Sequence, residues 1–388
     1  MTTAGAAELV RRPEGSTRAT LLELLFDVVF VAALALTSML LARRDTWTGA
    51  GQVLLMLAAI WWTWSITTTT TDFYDPDRRP IQAILMVTML GAVGMAAALP
   101  LASNEHALVF AVAYVTPHLV RGIVLISVLH RHRHRAQERA ARFLFWFLVS
   151  GVFWITGALL GGSLHWAFWI IAVVVDYVSS AARYPTPWLG RVPVEQYEKT
   201  AEHLAERYQQ FLILALGDII LVPTLEISTA DFTRARLGAF LTAFVTMLLL
   251  WQMYVFRAGA FRRPTSAREL GVAARLGPYT HVVMVTGVVA TAAGVDLVIA
   301  HPTGETSPRW VALIFGGPAV FLIGRGLFTY LIAGRLPLHR VGWLVLLPLG
   351  FWAVTWPPVL VSTVAVLVLA AIAAADALPR EPTARPRR

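Results

Sequence analysis

The chain has 388 residues, of which 57% are hydrophobic and only 14% are charged, and it contains no cysteine. Soluble domains carry close to a quarter charged residues, so this composition indicates a membrane protein, and the lack of cysteine excludes disulfides, thiolate catalysis and cysteine-based metal sites. The formal charge of +9 comes from arginines in short segments between apolar runs, a pattern that argues against nucleic-acid binding.

Apolar segments follow one another along almost the whole chain. Residues 1–19 form a polar tail, and the next apolar run is too long for the core of a cleaved signal peptide. About twelve segments have the length of about 20 residues that crosses a bilayer. The predicted transmembrane helices are Leu21–Ala42, Gly49–Thr70, Ile81–Ala102, Ala107–Leu129, Phe143–Gly161, Leu164–Ser180, Tyr208–Ile227, Leu237–Phe256, Pro278–Ile299, Trp310–Ala333, Val341–Trp356 and Val359–Ala375.

The basic residues predict how these helices are oriented. The N-terminal tail, the C-terminal tail and alternate loops hold 24 of the 32 lysines and arginines, and the other loops hold five. By the positive-inside rule both termini are expected in the cytoplasm. The run His130–Arg135 is interpreted as a topology determinant that contacts anionic lipids rather than as a metal site, and no cofactor is predicted. The many tryptophans are expected mainly at the membrane interfaces.

The chain also repeats itself weakly in the same order at a spacing of about 200 residues. The matching segments are Phe26–Val31 with Gly217–Val222, Trp61–Trp64 with Leu250–Met253, Leu119–Ile123 with Ile323–Leu327, and Phe145–Trp154 with Gly342–Trp352. The sequence therefore predicts an all-α polytopic fold with two parallel six-helix repeats, 20–182 and 208–377. An amphipathic connector, 183–207, is expected on the cytoplasmic surface between them, and 378–388 form a cytoplasmic tail.

Several segments resemble a known family. Glu23–Val31 is very similar to the segment E-L-F-F-D-L-V-F-V of the low temperature requirement protein A (LtrA) family of bacterial integral membrane proteins, and the likeness continues through Trp61–Trp64, Asp72 and Asp75–Arg79. Glu206-Arg207 and Phe211–Ile219 resemble that family's E-R-F and I-x-A-L-G-E-x-I, with Asp218 where the family usually has Glu. The resemblance runs from about Arg18 to Ala375. It implies a multi-pass protein of the bacterial plasma membrane and leaves the mechanism open.

Ionisable residues inside the predicted helices are the candidate functional residues, because a charge in hydrocarbon costs about 2.5–3.5 kcal/mol on insertion scales. Depth along the helices suggests two ion pairs, Asp27 with Arg121 and Asp218 with Arg325. These pairs either lock helices together or take part in coupling or gating. The candidate residues are Glu23, Asp27, Arg121, Asp218 and Arg325, with His118 and His281 as possible additions.

Three functions are compatible with this pattern. A transporter or channel would pass a small cation or proton between the two repeats. An intramembrane enzyme acting on a lipid-like substrate would use the same Asp and His residues in a deep lateral pocket, and catalysis is the less favoured reading. A protein of membrane adaptation or sensing would need neither a route across the membrane nor a catalytic pocket. The transported species and the oligomeric state are not encoded in any motif, and the bilayer is the one partner that the sequence predicts directly.

Overall fold

A computed structural model describes residues 9–11, 18–102, 105–194, 196, 201–228, 231–255, 267–334 and 352–377 as an assembly of long helices. A short 3-10 turn, Leu99–Leu101, extends the third helix. The α-helices in chain order are α1 (Leu21–Ala42), α2 (Trp47–Phe73), α3 (Arg79–Ala98), α4 (Ala107–Arg131), α5 (Ala136–Leu160), α6 (Gly162–Ala181), α7 (Ala201–Leu216), α8 (Asp218–Ser228), α9 (Arg234–Val255), α10 (Ala267–Ala300), α11 (Pro308–Ala333) and α12 (Pro358–Ala377).

The helices within the described ranges have the length and composition of membrane spans. With α7 and α8 counted as one crossing, eleven are long and apolar enough to cross a bilayer. They correspond in order to the first ten predicted spans and to the twelfth, so the all-α polytopic prediction is confirmed. The eleventh predicted span, Val341–Trp356, lies outside the described residues except for its C-terminal end.

The first helix begins and ends at the predicted residues. Its start is set by a capping box: the Thr20 hydroxyl accepts from the amide of Glu23, and the Glu23 carboxylate accepts from the amide of Thr20. We call the end of the bundle at which α1 begins the basic end, because the loops there carry most of the arginines. The other end, where α1 finishes and α2 starts, is called the opposite end.

The seventh crossing differs from its prediction in two ways. Its helix begins at Ala201, and the side chains of His203 and Arg207 are buried, although both had been assigned to a surface connector. The helix is also interrupted at Gly217, where the amide of Gly217 bonds to Leu214 and the amide of Ile220 bonds back to Gly217. Glycine tolerates such a tightened turn because it has no side chain to constrain the backbone.

The interior of the bundle is built around α1, α2 and α10. Helix α1 packs against α2, α3, α7, α8 and α10. The tryptophans Trp61, Trp62 and Trp64 of α2 are all buried, as are Trp154 and Trp169. These five are therefore core residues and not interfacial anchors. Leucines and valines on the outer faces of α3, α5 and α6 are exposed, as expected for surfaces in contact with lipid tails.

Helices α10 and α11 have the most extensive contact of any pair of described helices. Gly287 and Gly317 face each other across it: a Cβ on Gly287 would collide with the backbone of Phe321, and a Cβ on Gly317 would lie 2.5 Å from the amide nitrogen of Thr291. Small residues at such positions let two helix backbones approach closely in a membrane. The glycines therefore fix the position of α10, which also contacts α1, α7 and α8.

Candidate functional site

A buried ion pair joins α1 to α7 near the basic end. The guanidinium of Arg207 donates to both carboxylate oxygens of Asp27 over 2.9 and 2.7 Å, and the indole Nε1 of Trp64 donates to the same carboxylate over 2.8 Å. All three side chains are fully buried. The pairing of Asp27 with Arg121 is therefore wrong, because equal depth in the membrane does not make two helices neighbours, and α1 lies against α7.

Glu23 lies one turn before Asp27 on the same face of α1, as expected, and is also fully buried. Its Oε2 accepts from the amide and hydroxyl of Thr20, at 2.9 and 3.1 Å. Its Oε1 points to α7, where Nε2 of His203 lies at 3.5 Å and Nε of Arg207 at 3.9 Å. The carboxylate therefore divides its two oxygens between capping its own helix and facing two basic side chains.

His203 lies between two acidic side chains from different helices. Its Nδ1 is 3.2 Å from Oδ1 of Asp72, at the end of α2, and its Nε2 faces Glu23. The sequence did not indicate His203, because the seventh helix was expected to begin after it. We refer to Glu23, Asp27, Asp72, His203 and Arg207 together as the basic-end cluster.

A short N-terminal segment, residues 9–11, covers this cluster. It pairs with the residues that follow α2: the amide of Arg11 donates to the carbonyl of Phe73 over 3.2 Å, and the amide of Asp75 donates to the carbonyl of Leu9 over 3.0 Å. The Arg11 guanidinium donates to the carbonyl of Thr71 over 3.1 Å and lies against the ring of His203. The segment thus lies between the cluster and the outside of the basic end.

Aromatic rings from α2 and α7 close the cluster on its other side. The ring of Trp64 packs against Phe211 with centroids 4.2 Å apart and against Trp61 at 4.9 Å. Tyr208 packs against both tryptophans, at 5.3 and 5.9 Å. Because Trp61 and Phe211 lie one turn further toward the opposite end, they separate the cluster from the middle of the bundle.

The possible site residue His281 lies on α10 and connects this aromatic group to the second half of the chain. Its ring packs 4.5 Å from that of Tyr208, whose hydroxyl hydrogen-bonds Ser65 over 2.8 Å. The Nδ1 of His281 lies 2.9 Å from the carbonyl oxygen of Gly277. A carbonyl only accepts, so this nitrogen carries a proton.

Arg121 and His118 form a separate buried group on α4. The Nη2 of Arg121 lies 2.6 Å from Nδ1 of His118, and its Nη1 donates to the hydroxyl of Thr67 over 3.3 Å. Because a guanidinium only donates, Nδ1 of His118 accepts, and the imidazole is neutral with its proton on Nε2. That nitrogen faces the hydroxyl of Thr63 at 3.4 Å.

Asp176 of α6 is a buried carboxylate that the sequence analysis overlooked. The hydroxyl of Tyr114 donates to its Oδ2 over 2.6 Å, and Oδ1 has no hydrogen-bond partner among the described residues. The residue lies inside the predicted span Leu164–Ser180, so its ionisable side chain was a signal available from the sequence.

Arg325 is buried on α11 and does not pair with Asp218. Its Nη1 donates to the hydroxyl of Thr329 over 3.2 Å, and the guanidinium lies 5.8 Å from the ring centre of Tyr254. Neither carboxylate oxygen of Asp218 has a hydrogen-bond partner in the described part of the chain. The second predicted ion pair is therefore also absent from this structure.

Asp218 is the first residue of α8, directly after the interruption at Gly217, and its side chain is fully buried. Ser38 of α1 is a neighbour of this carboxylate, but its hydroxyl donates to the carbonyl of Ala35 over 2.9 Å. Ser38 lies four residues before the end of α1, about 6 Å from the opposite end. Asp218 is therefore not at the depth of Asp27, because α7 starts earlier than the sequence suggested.

Two further acidic side chains lie between Asp218 and the opposite end. Asp296 of α10 is a charged neighbour of Asp218, and Asp296 itself has the acidic Glu226 of α8 and the basic side chains of Arg43 and His301 near it. Exposure increases along this row: Asp218 is buried, Asp296 is partly buried and Glu226 is exposed. Three carboxylates thus lead from the surface of the opposite end to the interruption between α7 and α8.

A cavity opens among α9, α10, α11 and α12. Its polar lining consists of hydroxyl groups from Thr242, Thr246, Thr291 and Ser362, and the other lining side chains are apolar. None of Asp27, His118 and His281 lines this cavity.

One family model matches nearly the whole chain. The model of the family described as bacterial low temperature requirement A protein (LtrA) covers residues 18–375. The chain belongs to the LtrA family. A similar protein is an uncharacterized protein of Rhizobium meliloti (strain 1021), which is 32% identical over 339 residues, covering 86% of this chain and 83% of that protein. No solved structure matches the LtrA chain.

The segments that carry the resemblance to the LtrA family come together in space. Asp27 belongs to the first segment, Trp64 to the second and Arg207 to the third, and these three side chains form one hydrogen-bonded group. Asp218 ends the third segment and lies in a different place, at the interruption of the seventh crossing. The LtrA motifs therefore build two acidic sites, one in which Asp27 accepts from Arg207 and Trp64 and one in which Asp218 accepts from none of the described residues.

Proposed function

We propose that this LtrA protein moves a small cation or a proton across the membrane and that Asp218 binds it. The observation that carries the proposal is the Asp218 carboxylate, which is buried at a helix interruption beside Ser38 and accepts no hydrogen bond from the residues that the structure describes. An unpaired charge in such a place is costly, and binding a proton or a cation removes the cost. Interrupted helices form the ion sites of many secondary transporters.

The buried face of α1 connects the basic end with this site. Glu23, Asp27, Phe30, Leu34 and Ser38 follow one another at helical spacing and are all buried. Two acidic residues at the basic end are thus separated from Ser38 and Asp218 by two apolar side chains. Asp27 and Ser38 are about 16 Å apart along the helix axis. We infer that Phe30 and Leu34 separate two compartments and that the ion passes when these side chains move.

The proposed route lies where the two halves of the chain meet. Helix α1 from the first half contacts α7, α8 and α10 from the second. A two-repeat arrangement is supported by the matching close crossings of α3 with α4, at Gly91 and Pro117, and of α10 with α11, at Gly287 and Phe321. In this proposal the basic end faces the cytoplasm of a bacterial plasma membrane, so that the carboxylates near Asp218 face outward.

The test is an ion-flux assay on protein reconstituted into liposomes with K⁺, Na⁺ and H⁺ gradients. We expect flux with the wild-type chain and its reduction to the level of empty liposomes in Asp218→Asn, which keeps the shape of the side chain and removes its charge. The matched control is Asp231→Asn, because Asp231 lies in an exposed loop at the same end of the bundle.

The control must retain the wild-type flux, and both variants must keep the wild-type helix content and melting temperature. Wild-type protein that inserts correctly and passes none of the three ions would contradict the proposal. Equal flux in Asp218→Asn and wild type would show transport by a route that does not use this carboxylate. Reduced flux in both variants would mean that surface charge, rather than the buried site, controls the rate.

A further inference from the structure

The imidazole of His203 lies between two carboxylates of the basic-end cluster that come from different helices. Oδ1 of Asp72 lies 3.2 Å from its Nδ1, and Oε1 of Glu23 lies 3.5 Å from its Nε2. An ionised carboxylate only accepts hydrogen bonds. For His203 to donate to both, each ring nitrogen has to carry a proton, which makes the ring an imidazolium cation.

Arg11 does not occupy either of these bonding directions. Its Nη1 lies 3.3 Å from Nδ1 and 3.0 Å from Nε2 of the same ring. The lone-pair directions of the two ring nitrogens diverge in the ring plane, so a single atom close to both lies over the ring face. The Nη1 group of Arg11 therefore approaches the face of the ring, and the in-plane directions remain with Asp72 and Glu23.

The charges around His203 come from every element that packs against it. Glu23 comes from α1, Asp72 from α2 and Arg11 from the N-terminal segment, while Arg207 lies on the next turn of α7 and is already engaged by Asp27. A protonated His203 places a positive charge between the two facing carboxylates. With a neutral ring, one ring nitrogen carries no proton, so Oδ1 of Asp72 or Oε1 of Glu23 faces a lone pair inside a buried site, which is unfavourable.

We infer that His203 is a proton-binding site at the basic end of this protein. The bound proton bridges α1, α2 and α7, so its release loosens the contact between Glu23 and α7 beside the Asp27–Arg207 pair. Proton binding itself does not depend on transport. Only the consequence that this site controls entry to the route along α1 rests on the proposed function.

The test is nitrogen-15 NMR of histidine-labelled protein in lipid bilayers at about pH 7, where an unperturbed histidine is mostly neutral. The chain has ten histidines, and the signal lost in His203→Gln identifies His203. We expect two protonated ring nitrogens for His203. His118 is the internal control, because its contact with Arg121 requires a neutral ring. A His203 signal from a neutral ring would overturn the inference.

Variants of the two carboxylates test the cause and remain informative if His203→Gln does not fold. In Glu23→Gln or Asp72→Asn one negative charge beside the ring is removed, so we expect the imidazolium signal to give way to a neutral ring at the same pH. An imidazolium that persists in both variants would overturn the two-carboxylate mechanism. Flux measured on the same samples separates the two proposals. An imidazolium at His203 in protein that shows no flux would support the proton site and contradict transport. Flux in protein with a neutral His203 would support transport and contradict the proton site.

Discussion

Replacing Arg207 by methionine is expected to destabilise the protein by about 3–5 kcal/mol, the cost of removing one partner of a buried ion pair. The structure shows why the effect should be near that range. Asp27 would lose both guanidinium bonds, of 2.7 and 2.9 Å, and keep only the bond from Trp64. The carboxylate would stay fully buried. A loss of this size is a large share of the 5–15 kcal/mol that stabilises a typical domain, as an order of magnitude.

The assay is unfolding in lipid bicelles by titration with a denaturing detergent, followed by circular dichroism. The double variant Asp27→Leu with Arg207→Met removes both charges, so it should be more stable than Arg207→Met alone, with a coupling of at least about 2 kcal/mol. The control is Arg78→Met, since Arg78 forms a partly exposed pair with Asp75 that should contribute at most about 1 kcal/mol. A cost for Arg207→Met that is no larger than the control, or additive effects of the two substitutions, would refute the reasoning.

Two further predictions follow from the same structure. Gly287→Ala should lower the melting temperature, because the added Cβ would collide with the backbone of Phe321. The control Gly316→Ala places its Cβ in open space and should leave the melting temperature unchanged or raise it. Equal effects of the two substitutions would contradict the close crossing of α10 and α11. His134 lies in the loop before α5, where burial and the nearby Arg139 lower its pKa. The Nδ1 of the neutral ring accepts a hydrogen bond from the amide of Ala136, and this bond is lost when the ring is protonated as the pH falls. The protection factor of the Ala136 amide, which compares its exchange rate with the intrinsic rate at the same pH, should therefore fall on acidification, and His134→Gln should remove this fall. A protection factor that is independent of pH in the wild type would contradict the prediction.

The helices that could be predicted well are those whose ends are marked by local chemistry. Helix α1 begins after Thr20, a hydroxyl cap with Glu23 three residues later, and its apolar run fills the whole span. The start of α7 could not be predicted in this way, because its first two turns are rich in charged residues. Residues 201–207 include four ionisable side chains, so hydropathy places the membrane boundary after Arg207. Two of them, His203 and Arg207, are buried against side chains of α1, α2 and residues 9–11, which a local reading of the sequence cannot include.

The ion pairs were mispredicted for a related reason. Depth along a helix can be counted from the sequence at about 1.5 Å per residue, but the direction in which a side chain points toward its neighbours depends on packing. Asp27 and Arg121 have similar depths, yet Asp27 faces α7 and Arg121 bonds within α4 and to α2. Asp176 and Asp296 could have been recognised, since both are acidic residues within predicted spans.

The contrast between Asp27 and Asp218 separates a structural role from a binding role. Asp27 has three donors, and using it to carry an ion would first require the Arg207 pair to open, at a cost of about 3–5 kcal/mol. Among the described residues Asp218 has no such pair to break, and it lies at the inner end of a row of carboxylates. In the proposed function, an ion from the opposite end therefore meets its first buried carboxylate at Asp218. In the proposed transport cycle Asp27 then belongs to the barrier, and its pairing with Arg207 keeps the basic end closed while Asp218 is being loaded.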